Sequence, residues 1–453
     1  MAFLADIRRS HRRNVENLRK SPLAEISGAL GDLGTLLPLM ITLAINGSIS
    51  LSTTLVFSGF FNIATGVIFG IPLPVQPMKA IAAAAIASKA SQRETVAAGS
   101  IVGAVVLFLS VTGLLRWAAR VIPVPVVKGI QLGAGLSLII SAGTSLLMLP
   151  PSRWACPPLD GPAWAAVAFV LLVLTQRMRR FPYALVVFGV GIAFAFVGIA
   201  IGPEPSLNPH HHRKLPRWST WEPRFAVPRW TAEAIGMGVA QLPLTTLNSV
   251  IAVGALAADL RGPSELAPPG VGALGLSVAV MNLAGCWFGA MPVCHGAGGL
   301  AAQWRFGARS GASVVLLGAF KMAVGLAFGE SLLDLLAAFP KALLGVMVVA
   351  AGLELAKVGR SLNYGAPDLW EESVEQRGDG ATVRKQHRKV SDEEREERWT
   401  VMLTTAAGIL ACRNDAVGFS AGLLCHWAYR LADWVERRRR GRGQNERTPL
   451  LGA

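Results

Sequence analysis

The sequence predicts an all-α polytopic membrane protein whose fourteen spans form a seven-plus-seven inverted repeat. Three observations predict this class. Of 453 residues, 52% are hydrophobic and only 16% are charged, whereas a soluble domain carries about 25% charged residues. Apolar runs of about 17 or more residues recur from end to end, which is the length that a membrane-spanning helix needs. A short motif also occurs once in each half of the chain.

The repeated motif is G-x-x-F-G followed a few residues later by Pro-Val. It begins at Gly66 in the first half and at Gly285 in the second, 219 residues later. Residues 74–75 and 292–293 supply the Pro-Val pairs, and each pair opens a short apolar segment of small residues. Internal repeats of this kind are typical of transporters built from two halves, and broken segments in matching positions point to the substrate site.

A looser match extends the repeat. Residues 125–129, with Gly135 after them, resemble residues 340–345, with Gly352 after them, when one-residue gaps are allowed. Because each half holds an odd number of spans, the second half enters the membrane upside down relative to the first. We therefore expect an inverted repeat.

The expected spans follow the apolar runs in order. In the first half they fall near residues 24–45, 49–70, 77–90, 95–115, 126–148, 162–176 and 184–202. In the second half they fall near residues 231–256, 272–289, 295–308, 312–336, 341–357, 399–412 and 416–435. The chain then divides into a basic N-tail, a first repeat, an inter-repeat loop, a second repeat that contains a charged loop at 358–398, and a C-tail, with bounds 1–20, 21–202, 203–230, 231–435 and 436–453.

The net charge of +15 indicates topology rather than nucleic-acid binding, because the Lys and Arg residues lie between apolar runs. Basic clusters precede the first span and follow the last, so both termini are predicted to be cytosolic, as an even number of spans requires. The basic stretch 213–229 falls on the opposite side and argues against this assignment. The five cysteines include no C-x-x-C pair and suggest no disulfide framework. The first twenty residues are too polar for a cleavable signal.

The segments 77–90 and 295–308 are too short to cross a bilayer. Each has about 14 residues, or about 21 Å of helix, against a hydrocarbon core of about 30 Å. Prolines before both segments favour extended chain. We therefore expect spans 3 and 10 to be half-helices that begin near the midplane and face each other.

Two converging helix N-termini make an anion site, because each exposes free N–H groups and a partial positive charge. Lys79 lies in the first turn of the first half-helix and needs an anion or a carboxylate, with Asp32 as an alternative partner. Gly296, Gly298 and Gly299 either let backbone amides approach a ligand or serve close helix packing. The predicted substrate-binding residues are Thr35, Gln76, Met78, Lys79, Ala80, Gln241, Thr245, Asn248, His295, Gly296, Ala297 and Gly298.

Polar residues also interrupt the first span of each half. Asp32 is a candidate for proton coupling, but it could equally neutralise Lys79 or fix a local kink. Thr246 and Ser249 are expected to bond backbone carbonyls. Cys294 next to His295 cannot make a closed metal site, so no metal and no cofactor are predicted. The triplet His210 to His212 is expected to be exposed to solvent.

These residues resemble the molybdate transporter family, a branch related to the sulfate permeases. The resemblance is close at residues 28–35, 72–80 and 288–301, continues through 303–311, and covers nearly the whole chain outside the tails and the loops at 203–230 and 361–398. It implies the seven-plus-seven fold of bicarbonate, sulfate and nucleobase carriers, with spans 1–4 and 8–11 as core and spans 5–7 and 12–14 as gate. It also implies molybdate as substrate, bound where spans 3 and 10 begin, and no enzyme activity.

Alternatives remain open at this point. Tungstate or sulfate is a tetrahedral dianion like molybdate, and a proton-coupled nucleobase symporter shares the fold. The symporter is expected to carry glutamates in spans 8 and 10, where this chain has Asn248 and His295-Gly296. A membrane-embedded enzyme has no support, because the sequence shows no nucleophile–base pair, no metal cluster and no phosphate loop. A scaffold or channel role stays open. The expected partners are the anion, the lipid bilayer and a homodimer copy, with no nucleic acid.

The C-tail carries one location signal. Glu446, Leu450 and Leu451 fit the acidic dileucine pattern E-x-x-x-L-L, which sorting adaptors read. The pattern favours the vacuolar membrane, with the plasma membrane as the alternative.

Overall fold

The structure is a computed structural model. It describes residues 2–150, 154, 159–175, 178, 181–201, 215–260, 268–364, 366–377, 380–388 and 390–445. Within these residues the chain is built mainly of helices. In chain order they are α1 (Ala2–Lys20), α2 (Pro22–Ala29), α3 (Leu33–Ile45), α4 (Leu51–Phe69), α5 (Lys79–Ser88), α6 (Gln92–Val111), α7 (Leu114–Val121), α8 (Val124–Ala142), α9 (Pro162–Thr175), α10 (Tyr183–Ile201), α11 (Ala232–Pro243), α12 (Val253–Leu260), α13 (Val271–Gly285), α14 (Ala297–Arg305), α15 (Ala312–Phe328), α16 (Leu333–Ala337), α17 (Lys341–Ala356), α18 (Asp392–Cys412) and α19 (Asp415–Asn445).

Eight helical segments of the described chain are long and apolar enough to cross a membrane, which makes this an integral membrane protein. Each coincides with one of the fourteen expected spans. The eight are Leu51–Phe69, Gln92–Val111, Val124–Leu147, Tyr183–Ala200, Ala232–Leu260, Val271–Phe288, Ala312–Ala337 and Lys341–Ser361. Shorter apolar helices lie at Leu36–Ile45 and Pro162–Thr175. The full count of fourteen spans stays a prediction.

The expectation of an all-α chain is wrong in two places, because the described residues also form four short strands. They are β1 (Val75–Pro77), β2 (Val293–His295), β3 (Trp370–Arg377) and β4 (Gly380–His387). β3 and β4 form an antiparallel hairpin in the segment that the sequence indicated only as a charged loop. The two residues between these strands in the sequence are Gly378-Asp379, a pair typical of hairpin turns, and the high charge of the loop concealed this signal.

The chain divides into two compact units. Unit 1 comprises Met1–Ala119 and Ala134–Lys357. Unit 2 comprises Arg120–Gly133 and Val358–Ala453. This division differs from the predicted boundary between core and gate, which stays a prediction.

In unit 1, helices of opposite halves pack through glycines. α4 packs on α15, where a Cβ on Gly59 would lie 2.6 Å from the carbonyl oxygen of Gly318. α6 packs on α13, where Gly103 lies against the backbone of Ala279. Small residues let helix backbones approach closely inside a membrane. Each contact therefore joins one helix of the first half to one helix of the second.

The looser part of the repeat also has a structural counterpart in unit 1. Sequence analysis matched Gly135 with Gly352. A Cβ on Gly135 would lie 2.7 Å from the Gly352 carbonyl oxygen, and a Cβ on Gly352 would lie 2.6 Å from the Gly135 carbonyl oxygen. Two residues that occupy equivalent places in the two halves therefore touch each other, as expected for elements related by a two-fold axis.

The N-tail of unit 1 is a packed helix. Asn14 of α1 is buried and donates a hydrogen bond to the carbonyl oxygen of Gly66 in α4, at 2.8 Å. Ser10 is also buried and lies against Gly70. The opposite side of α1 is exposed, and there Lys20 lies 2.6 Å from Glu16 and holds the pKa of that carboxyl below its ordinary value.

Unit 2 is organised around the antiparallel contact between α18 and α19. Gly408 of α18 faces Gly418 of α19, and the beginning of α8 packs there through Gly129 against Met402. Arg398 of α18 pairs with Asp368 at 2.5 Å and also donates to the carbonyl oxygen of Leu362, which ties the segment before the hairpin to this helix.

Candidate substrate site

The site is built on a two-stranded sheet made by one segment from each half. β1 pairs with β2 in antiparallel register, with Gln76 opposite Cys294. On either side of this pair, Val75 lies opposite His295 and Pro77 lies opposite Val293. The repeat aligns Val75 with Val293 and Gln76 with Cys294, so the register is the same when the two halves are exchanged. The extended chain expected after the prolines is therefore present, and it is paired.

Two asparagines hold these strands in equivalent ways. The side-chain oxygen of Asn62 in α4 accepts a hydrogen bond from the amide of Val75 at 2.8 Å. The side-chain oxygen of Asn282 in α13 accepts one from the amide of Val293 at 2.9 Å, and its NH₂ group donates to the Val293 carbonyl at 2.6 Å. Both are almost fully buried. Sequence analysis missed them, although each precedes its G-x-x-F-G motif by about one helical turn.

A short helix follows each strand. α5 has 10 residues and begins after Met78, and α14 has 9 residues and begins after Gly296. At 1.5 Å per residue these helices are about 15 Å and 13 Å long. Met78 and Gly296 are equivalent in the repeat, and the amide of Met78 donates to the carbonyl of Pro292 at 2.9 Å. The two helix N-termini are therefore joined through the sheet.

The first turn of α5 already has an acceptor for two of its amides. The side-chain oxygen of Gln241 accepts hydrogen bonds from the amides of Ala80, at 2.8 Å, and Ile81, at 3.3 Å. The NH₂ group of Gln241 donates to Thr245 at 2.9 Å. Gln241 was predicted to bind substrate, and the structure places it as a cap on this helix, with Thr245 as its support.

The first turn of α14 is different. The amides of Ala297, Gly298 and Gly299 have no hydrogen-bond acceptor in the described part of the chain, and all three residues are buried. The helical hydrogen bonds begin one residue later, where Leu300 donates to the Gly296 carbonyl at 3.0 Å. Three free amides at one helix end can bind an anion, because their N–H groups and the helix dipole both favour negative charge.

The glycines at this end have two different roles. The side chain of Gln76 lies over the first turn of α14, where a Cβ on Gly296 would overlap the Gln76 side-chain oxygen and a Cβ on Gly299 would lie 2.5 Å from its nitrogen. Gly298 instead faces Leu138, 2.7 Å from a Cβ position. Gly296 and Gly299 thus make room for a polar side chain at the site, whereas Gly298 serves helix packing.

His295 and Cys294 are engaged with neighbouring hydroxyl groups. His295 is fully buried, its Nε2 lies 3.0 Å from the Ser277 hydroxyl, and its ring packs edge-on against Phe69. The hydroxyl of Ser249 lies 3.2 Å from the sulfur of Cys294. Among the described residues no group of three or more His, Cys, Asp or Glu side chains could hold a metal ion.

The opening helix of the second half widens beside β2. Residues Leu244–Ala252 form π-helical turns between α11 and α12, directly after Pro243, which has no N–H to donate. Thr246 bonds the backbone carbonyls of Leu242 and Pro243, as expected, whereas Ser249 bonds Cys294 instead. Asn248 is 8% exposed, and its side-chain oxygen is buried without a hydrogen-bond partner among the residues that the structure describes.

For the remaining predicted site residues the structure gives only burial or the course of the backbone. Lys79 and Ala80 are half-buried in the first turn of α5, and Met78 is buried. The backbone at Leu30–Asp32 forms a 3-10 turn, but the side chains of Asp32 and Thr35 lie outside the described part of the structure. A contact between Asp32 and Lys79 therefore stays a prediction. The sorting residues Glu446, Leu450 and Leu451 and the histidines 210–212 also lie outside it.

Known sequences that are similar to this chain include molybdate transporters. A family model described as "Molybdate transporter of MFS superfamily" matches residues 24–138 and 233–355, one range in each half. The chain is 40% identical over 391 residues to Molybdate transporter 2 of Arabidopsis thaliana, covering 76% of this chain and 80% of that protein. It is 37% identical over 391 residues to Molybdate transporter 1 of the same plant, covering 78% and 83%.

Solved structures with a similar fold are anion transporters of low sequence identity. The transmembrane domain of the cyanobacterial bicarbonate transporter BicA matches with a TM-score of 0.50 at 14% identity, covering 88% of this chain and 97% of that domain. The murine Solute Carrier 26 family member A9 anion transporter in the inward-facing state matches with a TM-score of 0.55 at 13% identity, covering 94% and 71%. These similarities concern the fold.

Proposed function

The chain belongs to the molybdate transporter family, and on this basis we propose that it carries molybdate across a membrane by alternating access. The family is one of transporters and not of enzymes. The observation that carries the proposal is the first turn of α14, where three buried amides have no acceptor among the described residues. A tetrahedral dianion supplies the oxygen acceptors that these amides lack.

The two short helices contribute differently in this proposal. Gln241 occupies two amides of α5, so α14 donates the backbone hydrogen bonds to the anion. Lys79 in the first turn of α5 supplies positive charge, while its equivalent in α14 is Ala297. Gln76 and the π-helical residue Asn248 are the further polar groups beside the pocket, and Asp32 is kept as the coupling candidate.

The architecture proposed for this transport is the fourteen-span inverted repeat with half-helices at α5 and α14. Two contacts support it, the symmetric register of β1 with β2 and the contact of Gly135 with Gly352. Alternating access follows from such a repeat when a core and a gate rock against each other around one site. Tungstate and sulfate share the shape and charge of molybdate and are the competing substrates.

A nucleobase symporter is the second candidate, and the site gives it less support. A neutral base requires a set of donors and acceptors, and such a symporter was expected to carry glutamates in spans 8 and 10. The structure instead has a glutamine that caps a helix and a fully buried, hydrogen-bonded histidine. Excess uracil or xanthine that displaces labelled molybdate would favour the symporter.

The test of the proposed function is binding and uptake of molybdate by purified protein in proteoliposomes. Lys79→Gln removes the charge at the first turn of α5 and is expected to weaken molybdate binding at least tenfold, which is about 1.4 kcal/mol. Lys89→Asn, at the exposed opposite end of the same helix, is the matched control, because Lys89 has φ 52° and Asn tolerates that conformation. Unchanged affinity in Lys79→Gln would remove Lys79 from the site.

The C-tail carries the sequence pattern on which a location can be proposed. We propose the vacuolar membrane, on the basis of the dileucine pattern at Glu446, Leu450 and Leu451. A fluorescent fusion with both leucines changed to alanine is expected to move to the plasma membrane. Vacuolar location of that variant would discard the signal.

A further inference from the structure

A second polar cavity lies at the other end of α14. It has a volume of about 710 Å³ and lies wholly within unit 1. Among the described residues its charged lining consists of three basic and two acidic side chains, which together give one excess positive charge. These residues are Lys20, Glu25, Arg305, Arg309 and Glu354.

The basic side chains of this cavity differ in how they are engaged. Arg309 donates hydrogen bonds to the carbonyls of Trp304 and Ala308 and stacks over the Trp304 ring. Arg305 is only 17% exposed, yet it donates no hydrogen bond to a described residue. Its ion pair with Glu354 is long at 4.0 Å, and Glu354 has a closer partner in Lys357 at 2.9 Å.

Arg305 stands on the same helix as the free amides. It is the last residue of α14, and Ala297 is the first. Eight residues of helix separate them by about 12 Å. A guanidinium at this point can hold two oxygens of a tetrahedral anion at once, and a positive cavity raises the local anion concentration.

We propose that Arg305 and its cavity form a second, weaker oxyanion subsite, which an anion occupies on its way to or from the first turn of α14. This inference rests on the proposed function. Glu354 competes with the anion for Arg305, so the subsite fills when the anion displaces this carboxylate. The N-tail residue Lys20 lines the same cavity, which places the subsite on the N-tail side of the protein.

A structural latch is the alternative interpretation of the same residues. The Arg305–Glu354 pair joins α14 to α17, and Phe306 stacks on Tyr183 with ring centroids 5.5 Å apart. A latch is weakened by the loss of either charge, so Arg305→Gln and Glu354→Gln would then act in the same direction. The subsite requires opposite directions, because one variant removes the anion's partner and the other removes its competitor.

The experiment is equilibrium binding of radiolabelled molybdate to the full chain in nanodiscs at low ionic strength. Wild-type protein is expected to bind two anions, one tightly and one weakly. Arg305→Gln should weaken the second affinity at least fivefold and leave the first within twofold, and Glu354→Gln should strengthen the second about two- to fivefold, both at low salt where such charges act most. Arg224→Gln, on an exposed residue elsewhere in unit 1, is the control for loss of one positive charge.

The outcomes separate the two proposals. A wild-type protein without tight molybdate binding would contradict the proposed function. Tight binding without a second, weaker anion, or a second affinity that is unchanged in Arg305→Gln, would overturn the subsite alone. A second affinity that shifts the same way in both variants would overturn it in favour of the latch. If Arg305→Gln does not fold, the strengthening expected from Glu354→Gln still decides between them.

Discussion

Gln76 and Gly296 share one small volume at the site, and neither can change without affecting the other. The side chain of Gln76 is 1% exposed and lies where a Cβ on Gly296 would be. Any side chain at position 296 therefore displaces Gln76 from the first turn of α14. Gly298, two residues on, meets only the end of the flexible Leu138 side chain.

This difference predicts that the same glycine-to-alanine change has unequal effects on molybdate affinity at positions 296 and 298. Gly296→Ala is expected to weaken molybdate affinity at least tenfold, because the displaced glutamine enters the space of the anion. Gly298→Ala is expected to change affinity less than threefold, because Leu138 can adopt another rotamer. Binding of labelled molybdate to both purified variants measures the difference. Equal losses in the two variants would show that position 296 has no special contact with the site.

Single residues of the site could be predicted where the expected start of a helix fixes their position. They could not be predicted where a hydrogen-bond partner distant in sequence fixes their role. Gly296 and Lys79 could be placed from the expected helix starts alone. The role of Gln241 as a cap could not, because Ala80 lies 161 residues away in sequence and only the fold brings the two together. Asn62 and Asn282 were overlooked because a buried asparagine in an apolar helix gives no periodic signal.

At the scale of elements, the pairing of β1 with β2 is the contact that joins the two halves at the site. Three residues from each strand are paired, and a buried asparagine ties each strand to its own half. Sequence analysis predicted extended chain from the prolines but not that the two segments would pair. A strand of three residues is too short for an alternating pattern to be recognised.

The pairing predicts a specific cross-link. Cys294 is opposite Gln76, and antiparallel neighbours have Cα atoms about 5.5 Å apart, which a disulfide can bridge. In Gln76→Cys, mild oxidation is expected to join position 76 to the native Cys294. A protease site engineered into the exposed segment 215–231 would cut the chain between them. The two halves should then migrate together on a denaturing gel without reductant and separate with it.

The same variant with Cys294→Ser is the control and should separate under both conditions. Separation of the oxidised Gln76→Cys halves would contradict the register of β1 with β2. The Gln76→Cys variant is also expected to lose transport in both the reduced and the oxidised state, because it has no glutamine side chain to lie over α14.

At the scale of the whole molecule, α1 is part of the folded unit and not a loose tail. Asn14→Ala removes the buried hydrogen bond to the Gly66 carbonyl and is expected to lower the free energy of unfolding by about 1 kcal/mol. Glu16→Ala, which removes an exposed ion pair with Lys20, should change it by about 0.5 kcal/mol or less. Thermal unfolding of the purified variants measures both. Equal stability of Asn14→Ala and wild type would mean that α1 does not hold α4.

The fold class could be predicted from the sequence because long apolar runs and low charge indicate membrane-spanning helices. The repeated motif indicates two related halves. The hairpin of β3 and β4 could not be predicted in this way, because its charged residues indicate exposure to solvent and not the pairing of two strands. The internal repeat was visible at G-x-x-F-G because its second glycine ends a helix in the left-handed region in both halves, at Gly70 with φ 62° and at Gly289 with φ 77°. Elsewhere the match between the two halves is looser, as at residues 125–129 and 340–345, and there the contact of Gly135 with Gly352 supports it.

Lys79 and Ala297 occupy equivalent positions in the two halves, and this pair bears on which face of the membrane the empty carrier opens to. If the two halves were identical, the forms open to either face of the membrane would be mirror alternatives of equal free energy. A lysine on one side and an alanine on the other break that balance, so we expect the empty protein to prefer one face. Changes at Gln76 or Cys294, which lie opposite each other on the axis, should alter both forms alike and slow the cycle without moving the preference. Changes at position 79 or 297 should instead shift which face is open at rest.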